Sequence, residues 1–218
     1  MQKEPAFIFD MNGTMIDDMN YHIRIWKEIV NGLGAPLNFE EMKEQCYGKN
    51  SEVLERIFPG RFSGAEKDQL EIEKEKRYQQ EYRSEMKLIN GLDAVLAAAD
   101  QKKIPMAIGT AAIRFNVDFI LDGLSIRSYF KAIVTADDVI KSKPHPETFL
   151  NCAAIMGVDP TNCIVFEDSP KGVETAANAG MQCVVLTTMH TPEEFSGYSN
   201  VLCIVKDYTD AALLQLLA

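Results

Sequence analysis

Four short stretches of this chain carry side chains able to do chemistry. The first is Asp10-Met11-Asn12-Gly13-Thr14, directly after the apolar run Ala6-Phe7-Ile8-Phe9. A carboxylate at the end of a buried strand can hold a metal or attack phosphorus, because ligands gather at the carboxyl ends of parallel strands. Gly13 permits a tight turn and a close approach of backbone to ligand. The second is Gly109-Thr110-Ala111, where the Thr110 hydroxyl and the Ala111 N–H could both donate to a phosphate oxygen. The third is Lys141-Ser142-Lys143-Pro144-His145-Pro146-Glu147. Its two prolines stiffen the loop and give Lys143 a defined direction, and an ammonium so placed offsets the repulsion between a carboxylate and a phosphate. The fourth is Glu167-Asp168-Ser169-Pro170-Lys171-Gly172, after the apolar run 163–166. Adjacent carboxylates at a strand end are unfavourable unless a cation neutralises them, and oxygen ligands suit Mg²⁺.

The first three stretches also have a purely structural reading. Asp10 can be a capping residue ahead of an Asn-Gly turn. Gly109-Thr110 can be an ordinary strand-to-helix turn. Lys143 can be a solvated lysine in a helix-initiating loop.

The elements that would position these residues are short apolar runs at 6–9, 105–108, 132–135, 163–166, 183–186 and 201–205, with helical periodicity between them. Runs that stop at polar or glycine-containing turns suit buried parallel strands. Strand alternating with helix implies an α/β domain with helices on both faces of a parallel sheet. From about residue 16 to residue 87 the alternation lapses into helical patterns alone. One, at 21–33, has an apolar stripe of Ile23, Trp26, Ile29, Val30 and Leu33, closed by Gly34 and Pro36. Another, at 65–87, is heavily charged and reads as a solvated face, with Glu73 expected to pair with Arg77 one turn on. The chain returns to the sheet through Asn90-Gly91.

The formal net charge is −10 and the pI about 4.8, which argues against nucleic acid or an anionic membrane as the main partner. No apolar run is long enough to span a bilayer, and the N-terminus lacks a leader pattern. The cysteines (Cys46, Cys152, Cys163, Cys183, Cys203) form no C-x-x-C pair and read as small core residues in a reducing cytoplasm. His22, His145 and His190 are too scattered for a zinc cluster.

Taken together, Asp10, Thr110, Lys143 and Asp168 resemble, in chain order, the four motifs of the haloacid dehalogenase superfamily. Lys-Pro-His-Pro-Glu-Thr-Phe, Glu-Asp-Ser-Pro-Lys-Gly-Val-Glu and Tyr-His-Ile-Arg-Ile-Trp-Lys are similar to its β-phosphoglucomutase-like branch. The resemblance covers nearly the whole chain. It implies a Rossmann-like parallel-sheet core (residues 1–15 and 88–218) with an inserted all-helical C1 cap (residues 16–87). It also implies that Asp10 is the nucleophile of an aspartyl-phosphate intermediate. Mg²⁺ would be held by Asp10, the backbone carbonyl of Asn12 and Asp168, with Glu167 in or near the shell. Thr110 and the Ala111 amide would hold phosphate oxygens, and Lys143 would bridge nucleophile and phosphate. The cap would close over the site and choose the substrate, with Gly48-Lys49-Asn50 as its specificity loop. His22, which shares a helix face with Trp26, either faces the site or packs with Trp26 in the cap core. Lys49 either meets a substrate anion or is solvated.

One residue departs from the pattern. Asn12 stands where the resemblance expects an aspartate that protonates the leaving oxygen and then activates water. An amide keeps its backbone carbonyl but moves no proton, and such help is worth about 10²–10⁴-fold. Three origins fit Asn12: a natural residue tuned to good leaving groups or slow turnover, an engineered substitution that traps a ligand, or an Asn-Gly pair that deamidates to aspartate. The leading expectation is a Mg²⁺-dependent phosphatase of a small phosphorylated metabolite, a sugar phosphate, acting as a cytoplasmic monomer. The alternatives are a β-phosphoglucomutase and a phosphate-ligand binding protein that has lost turnover.

Overall fold

A computed structural model describes residues 5–213. Residues 1–4 and 214–218, the outer ends of the expected core domain and part of the N-terminus read as leader-free, lie outside the described residues. The chain forms two compact units. One joins the segment up to Asp17 to the segment from Lys87 onward, and the other is Asp18–Met86.

The first unit is built on strands β1 (Ala6–Phe9), β2 (Met106–Gly109), β3 (Ala132–Val134), β4 (Cys163–Glu167), β5 (Gln182–Leu186) and β6 (Val201–Val205). They make one parallel sheet in the order β3-β2-β1-β4-β5-β6. Strand β2 starts one residue later than the apolar run that announced it. Pro105 has no N–H to give, and only its carbonyl serves the sheet, accepting from Phe7 N at 2.9 Å.

Because β1 alternates, Ala6 and Ile8 join one buried cluster while Phe7 and Phe9 point to the opposite face. There Phe9 stacks on Phe166 with ring centroids 4.5 Å apart, and Tyr208 leans against both rings. Burial on both faces is why β1 reads as an unbroken apolar run. Register sets the chemistry: Phe9 lies opposite Ile108 on one side and Phe166 on the other. The residues that follow these strands, Asp10, Thr110 and Glu167-Asp168, therefore emerge at one edge, on both sides of the point where strand order reverses.

The second unit is helical among the described residues: α1 (Met19–Gly32), α2 (Phe39–Gln45), α3 (Asn50–Ile57) and α4 (Gly64–Tyr82). Reciprocal capping boxes start α2 (Asn38 with Glu41) and α4 (Ser63 with Glu66). Two expectations for α4 are corrected. The Glu73–Arg77 pair is absent: Arg77 bonds Glu81, one turn toward the C-terminus, and Glu28 of α1, while Glu73 accepts from Gln69. Two acceptors reached together, one of them joining α4 to α1, win over a lone intrahelical partner.

Nor is α4 a solvated helix throughout. Lys74 and Glu75 are 2% and 3% exposed, on the same face as the buried Tyr78 and Tyr82. The ammonium donates to Glu75 Oε1 at 2.7 Å and meets His22 Nδ1 at 2.5 Å. Mutual compensation is what lets charged side chains enter a core.

The sheet-bearing unit also carries the α-helices α5 (Leu92–Gln101), α6 (Arg114–Gly123), α7 (Glu147–Met156) and α8 (Pro170–Asn178). Helix α7 packs on β2 and β3, and α8 on β4 and β5. The chain leaves this unit just past the β1 turn and re-enters beside its own exit, where Ile89 N donates to Met15 O at 2.8 Å. Among the described residues no helix is long and apolar enough to cross a membrane.

Candidate active site

The turn after β1 is closed by Gly13 N donating to Ile16 O at 2.8 Å, and Thr188 Oγ1 donates to Gly13 O at 2.7 Å. Gly13 has φ +74, and a Cβ there would lie 2.1 Å from Asp168 Oδ2. Only glycine suits this position, on grounds of both backbone and space. Thr14 Oγ1 donates to Asp168 Oδ1 at 3.2 Å, and Tyr208 OH donates to Thr14 O at 3.0 Å. The β1 turn is thus fastened to the segments that follow β4, β5 and β6. Asn12, half-buried, is carried on this turn.

Lys143 reaches the cluster from the proline loop, which Asn178 Nδ2 anchors by donating to Pro144 O at 2.9 Å. Its Nζ donates to Asp10 Oδ1 at 2.8 Å and to Glu167 Oε1 at 2.7 Å. The other oxygen of Glu167 accepts from Asp168 N, Ser169 N and Ser169 Oγ, at 2.9, 3.0 and 3.0 Å. Ser169 Oγ also accepts from Gly172 N, capping α8. Asp10, Glu167 and Asp168 are all buried, and each offers an oxygen within 4.8 Å of the others.

Three carboxylates therefore face a single ammonium. Burial alone would lower the Lys143 pKa, but Asp10 and Glu167 outweigh it and hold the ammonium above its ordinary range. For Asp168, burial and then the charges of Glu167 and Asp10 push the carboxyl well above the usual carboxylate range. Lys143 and the Thr14 hydroxyl offset this only in part. An all-oxygen donor set with surplus negative charge fits a hard divalent cation such as Mg²⁺.

Asp10, Lys143, Glu167 and Asp168 are brought into direct contact with one another or with shared partners. Thr110 and Ala111 follow β2 at the same edge. Thr110 N is spent on Val134 O at 3.0 Å and its Oγ1 accepts from Ala112 N at 3.1 Å, while the Ala111 N–H has no partner among the described residues. His22, Lys49 and Asn50 belong to the helical unit. His22 lies between Lys74 and Asp18 and stacks on Tyr78 with centroids 4.0 Å apart. Since an ammonium only donates, His22 Nδ1 accepts from Lys74 and Nε2 carries the hydrogen toward Asp18. The Asn50 amide accepts from Trp26 Nε1 and donates to Glu71 and Glu75. Lys49 begins α3, its backbone N–H donating to Glu52 Oε2 at 3.0 Å.

Sequence reasoning passed over Thr14, Ser169, Thr188 and Tyr208, which hold the cluster in place. Ser169, ahead of Pro170 and three residues before Gly172, bore a helix-start signal; Thr188 and Tyr208 bore none. Gly172 carries the strongest packing constraint, since a Cβ there would lie 1.7 Å from Glu167 Cδ. Alanine ordinarily favours a helix over glycine by about 1 kcal/mol. Here Gly172→Ala must displace a carboxylate held by four donors, so a lower melting temperature is expected. Thermal unfolding checks it, and a variant more stable than the parent would show that Glu167 moves aside freely.

A doubly wound sheet with a buried carboxylate at one strand end and an acid pair across its switch point describes an α/β enzyme. The chain belongs to the haloacid dehalogenase-like hydrolase family, whose model matches residues 7–186. It is 31% identical over 183 residues to the fructose-1-phosphate phosphatase YqaB of Escherichia coli (strain K12), covering 84% of this chain and 96% of that protein. It is 33% identical over 187 residues to the beta-phosphoglucomutase of Bacillus subtilis (strain 168), covering 82% of this chain and 81% of that one. The crystal structure of beta-phosphoglucomutase from Clostridium difficile matches with a TM-score of 0.85 at 25% identity, over 99% of this chain and 97% of that one.

Proposed function

We propose that this chain is a Mg²⁺-dependent phosphoric monoester hydrolase of small phosphorylated metabolites, working through an aspartyl-phosphate on Asp10 as a cytoplasmic monomer. The observation that carries this reading is the Lys143 ammonium held between Asp10 and Glu167 in a buried acid cluster. Lys143 fixes the Asp10 carboxylate and offsets its repulsion toward a phosphate. An Asp10 oxygen attacks phosphorus, the bond to the leaving oxygen breaks, and the electron pair departs with that oxygen. Water then attacks the phosphorus, and the electron pair of the Asp10–phosphorus bond returns to the carboxylate. Thr110 and the Ala111 N–H hold the oxygens of the transferring group. Mg²⁺, on Asp10, Asp168, Glu167 and the Asn12 carbonyl, would neutralise charge on that group.

Sugar phosphates are the substrate class favoured by relatives named for a fructose-1-phosphate phosphatase and a phosphorylated carbohydrates phosphatase. We assign substrate choice to the helical unit, with Lys49 as its cation for the substrate. The packed amides and rings of Asn50, His22 and Trp26 keep that unit in shape. The likeness to beta-phosphoglucomutases keeps a mutase as the second reading.

Incubation with a panel of sugar phosphates, in Mg²⁺ and in EDTA, tests the proposal by phosphate release. Release with Mg²⁺ and its loss in EDTA are expected. Binding without release from any substrate would leave only a ligand-binding protein. Isomerisation of β-glucose 1-phosphate without net release would make it a mutase.

A further inference from the structure

Lys143 is held by more than its two carboxylates. An ammonium has three N–H groups, and two of them go to Asp10 and Glu167. The nitrogen also lies over the ring of Phe149, 4.6 Å from its centroid. Both side chains are buried, so a ring face rather than bulk water meets the charge. A cation over an aromatic face is attracted by the ring quadrupole, most strongly where both are desolvated.

The ring is itself fixed. Phe149 stands in the first turn of α7, and Cys152, one turn on, donates its Sγ hydrogen to Ile108 O of β2 at 3.3 Å. Gly109, the last residue of β2, passes so near that a Cβ there would lie 2.8 Å from Phe149 Cδ1. The space a side chain at 109 would fill is given to the ring, and the strand end before Thr110 thereby backs the ring that carries Lys143. An aliphatic side chain could fill the same volume, but it has no π face to offer a cation.

We propose that Phe149 is a positioning residue for the reaction, its ring face fixing where the Lys143 ammonium stands. The proposal rests on the part assigned to Lys143 in phosphoryl transfer. The carboxylates alone do not secure that position, because a divalent cation on the acid cluster competes with the ammonium for the same oxygens. The ring has no net charge to share and stays out of that competition. It keeps Lys143 beside Asp10, where a preorganised cation offsets charge without having to be reoriented.

The test replaces Phe149 by mono-, di- and trifluorinated phenylalanine, which drain negative charge from the ring face with little change of shape, and by leucine. Each protein is assayed for phosphate release from fructose 1-phosphate in Mg²⁺ and unfolded in urea in Mg²⁺, and the fluorinated series is repeated in Lys143→Met. With Lys143 present, kcat is expected to fall with each fluorine, by roughly five- to thirtyfold over the series, with KM little changed. Phe149→Leu is expected to lose at least as much. The unfolding constant is expected to rise along the series when Lys143 is present and to rise less in Lys143→Met, the gap widening with each fluorine. A flat kcat series, or Phe149→Leu as active as the wild type, overturns the proposal. So does an equal response of the unfolding constant in both backgrounds, which would show that the ring only packs. The kcat series decides the matter even if Lys143→Met fails to fold. If the wild type releases no phosphate from fructose 1-phosphate, it is the phosphatase reading that fails on that substrate, and the two unfolding series decide whether the ring holds the ammonium.

Discussion

Asp10→Asn will keep its fold and lose turnover, with phosphate release falling by at least about 10⁴-fold, the scale on which covalent catalysis fails when its nucleophile is removed. The loss will not come from unfolding. Asp10 sits with Glu167 and Asp168 around one ammonium, so removing its charge relieves repulsion while an amide of nearly the same shape can still accept from Lys143. In EDTA the variant should melt at or above the wild-type temperature. Phosphate assays paired with thermal unfolding check both halves. A variant that is inactive because it is unfolded would mean the carboxylate is structural, and retained activity would place the nucleophile elsewhere.

Lys143→Met will be the most damaging single change to the metal-free protein. It leaves three buried carboxylates without their ammonium, and removing one partner of a buried charge pair costs about 3–5 kcal/mol. The pH dependence has a definite sign. Folding raises the pKa of Asp168, so the native state holds that proton more tightly than the unfolded chain. Stability must then fall as pH rises from the ordinary carboxylate range through the folded titration of Asp168. Without Lys143 the fall is steeper, and a divalent cation removes it by replacing the proton. Melting curves across pH, with and without Mg²⁺, should show the ion raising the variant's midpoint more than the wild type's without restoring phosphate release. Equal melting of both proteins in EDTA would show that the acids are hydrated rather than paired.

Much of this was legible in the sequence, for a physical reason. Parallel strands buried on both faces must be apolar throughout, so β1 and β4 announced themselves to within a residue. Their carboxyl ends are where polar residues become possible again, so Asp10 and Glu167-Asp168 stood out against that background. Buried polar residues inside a charged helix did not. In α4, Lys74 and Glu75 look like any other exposed pair, and the partners that help make their burial tolerable, His22 and Asn50, lie far off in the sequence. Partners distant in sequence also hid Thr188 and Tyr208, whose single hydrogen bonds to the β1 turn follow from the sheet order and from no local motif. Glu167 was read as a possible ligand. Its shared hold on Lys143 depended on a loop whose path sequence does not specify. The expectation that Asn12-Gly13 partly deamidates rests on dipeptide chemistry alone. That reaction needs the Gly13 nitrogen to attack the Asn12 side chain, and here the same N–H is bonded to Ile16 O at 2.8 Å.

The 2.8 Å bond between Ile89 N and Met15 O has a consequence for how such a chain can diversify. Exit and re-entry are pinned together by the sheet-bearing unit itself, so the span between them is topologically a single loop, whatever it contains. Closure entropy grows only with the logarithm of loop length, so replacing a tight turn of about seven residues by roughly seventy costs about 2 kcal/mol. An insert that folds on its own can recover that by itself. Under the proposed assignment of substrate choice to the helical unit, that choice can be rewritten by exchanging one contiguous stretch of gene, while Asp10, Lys143 and the acid pair inherit their geometry unchanged.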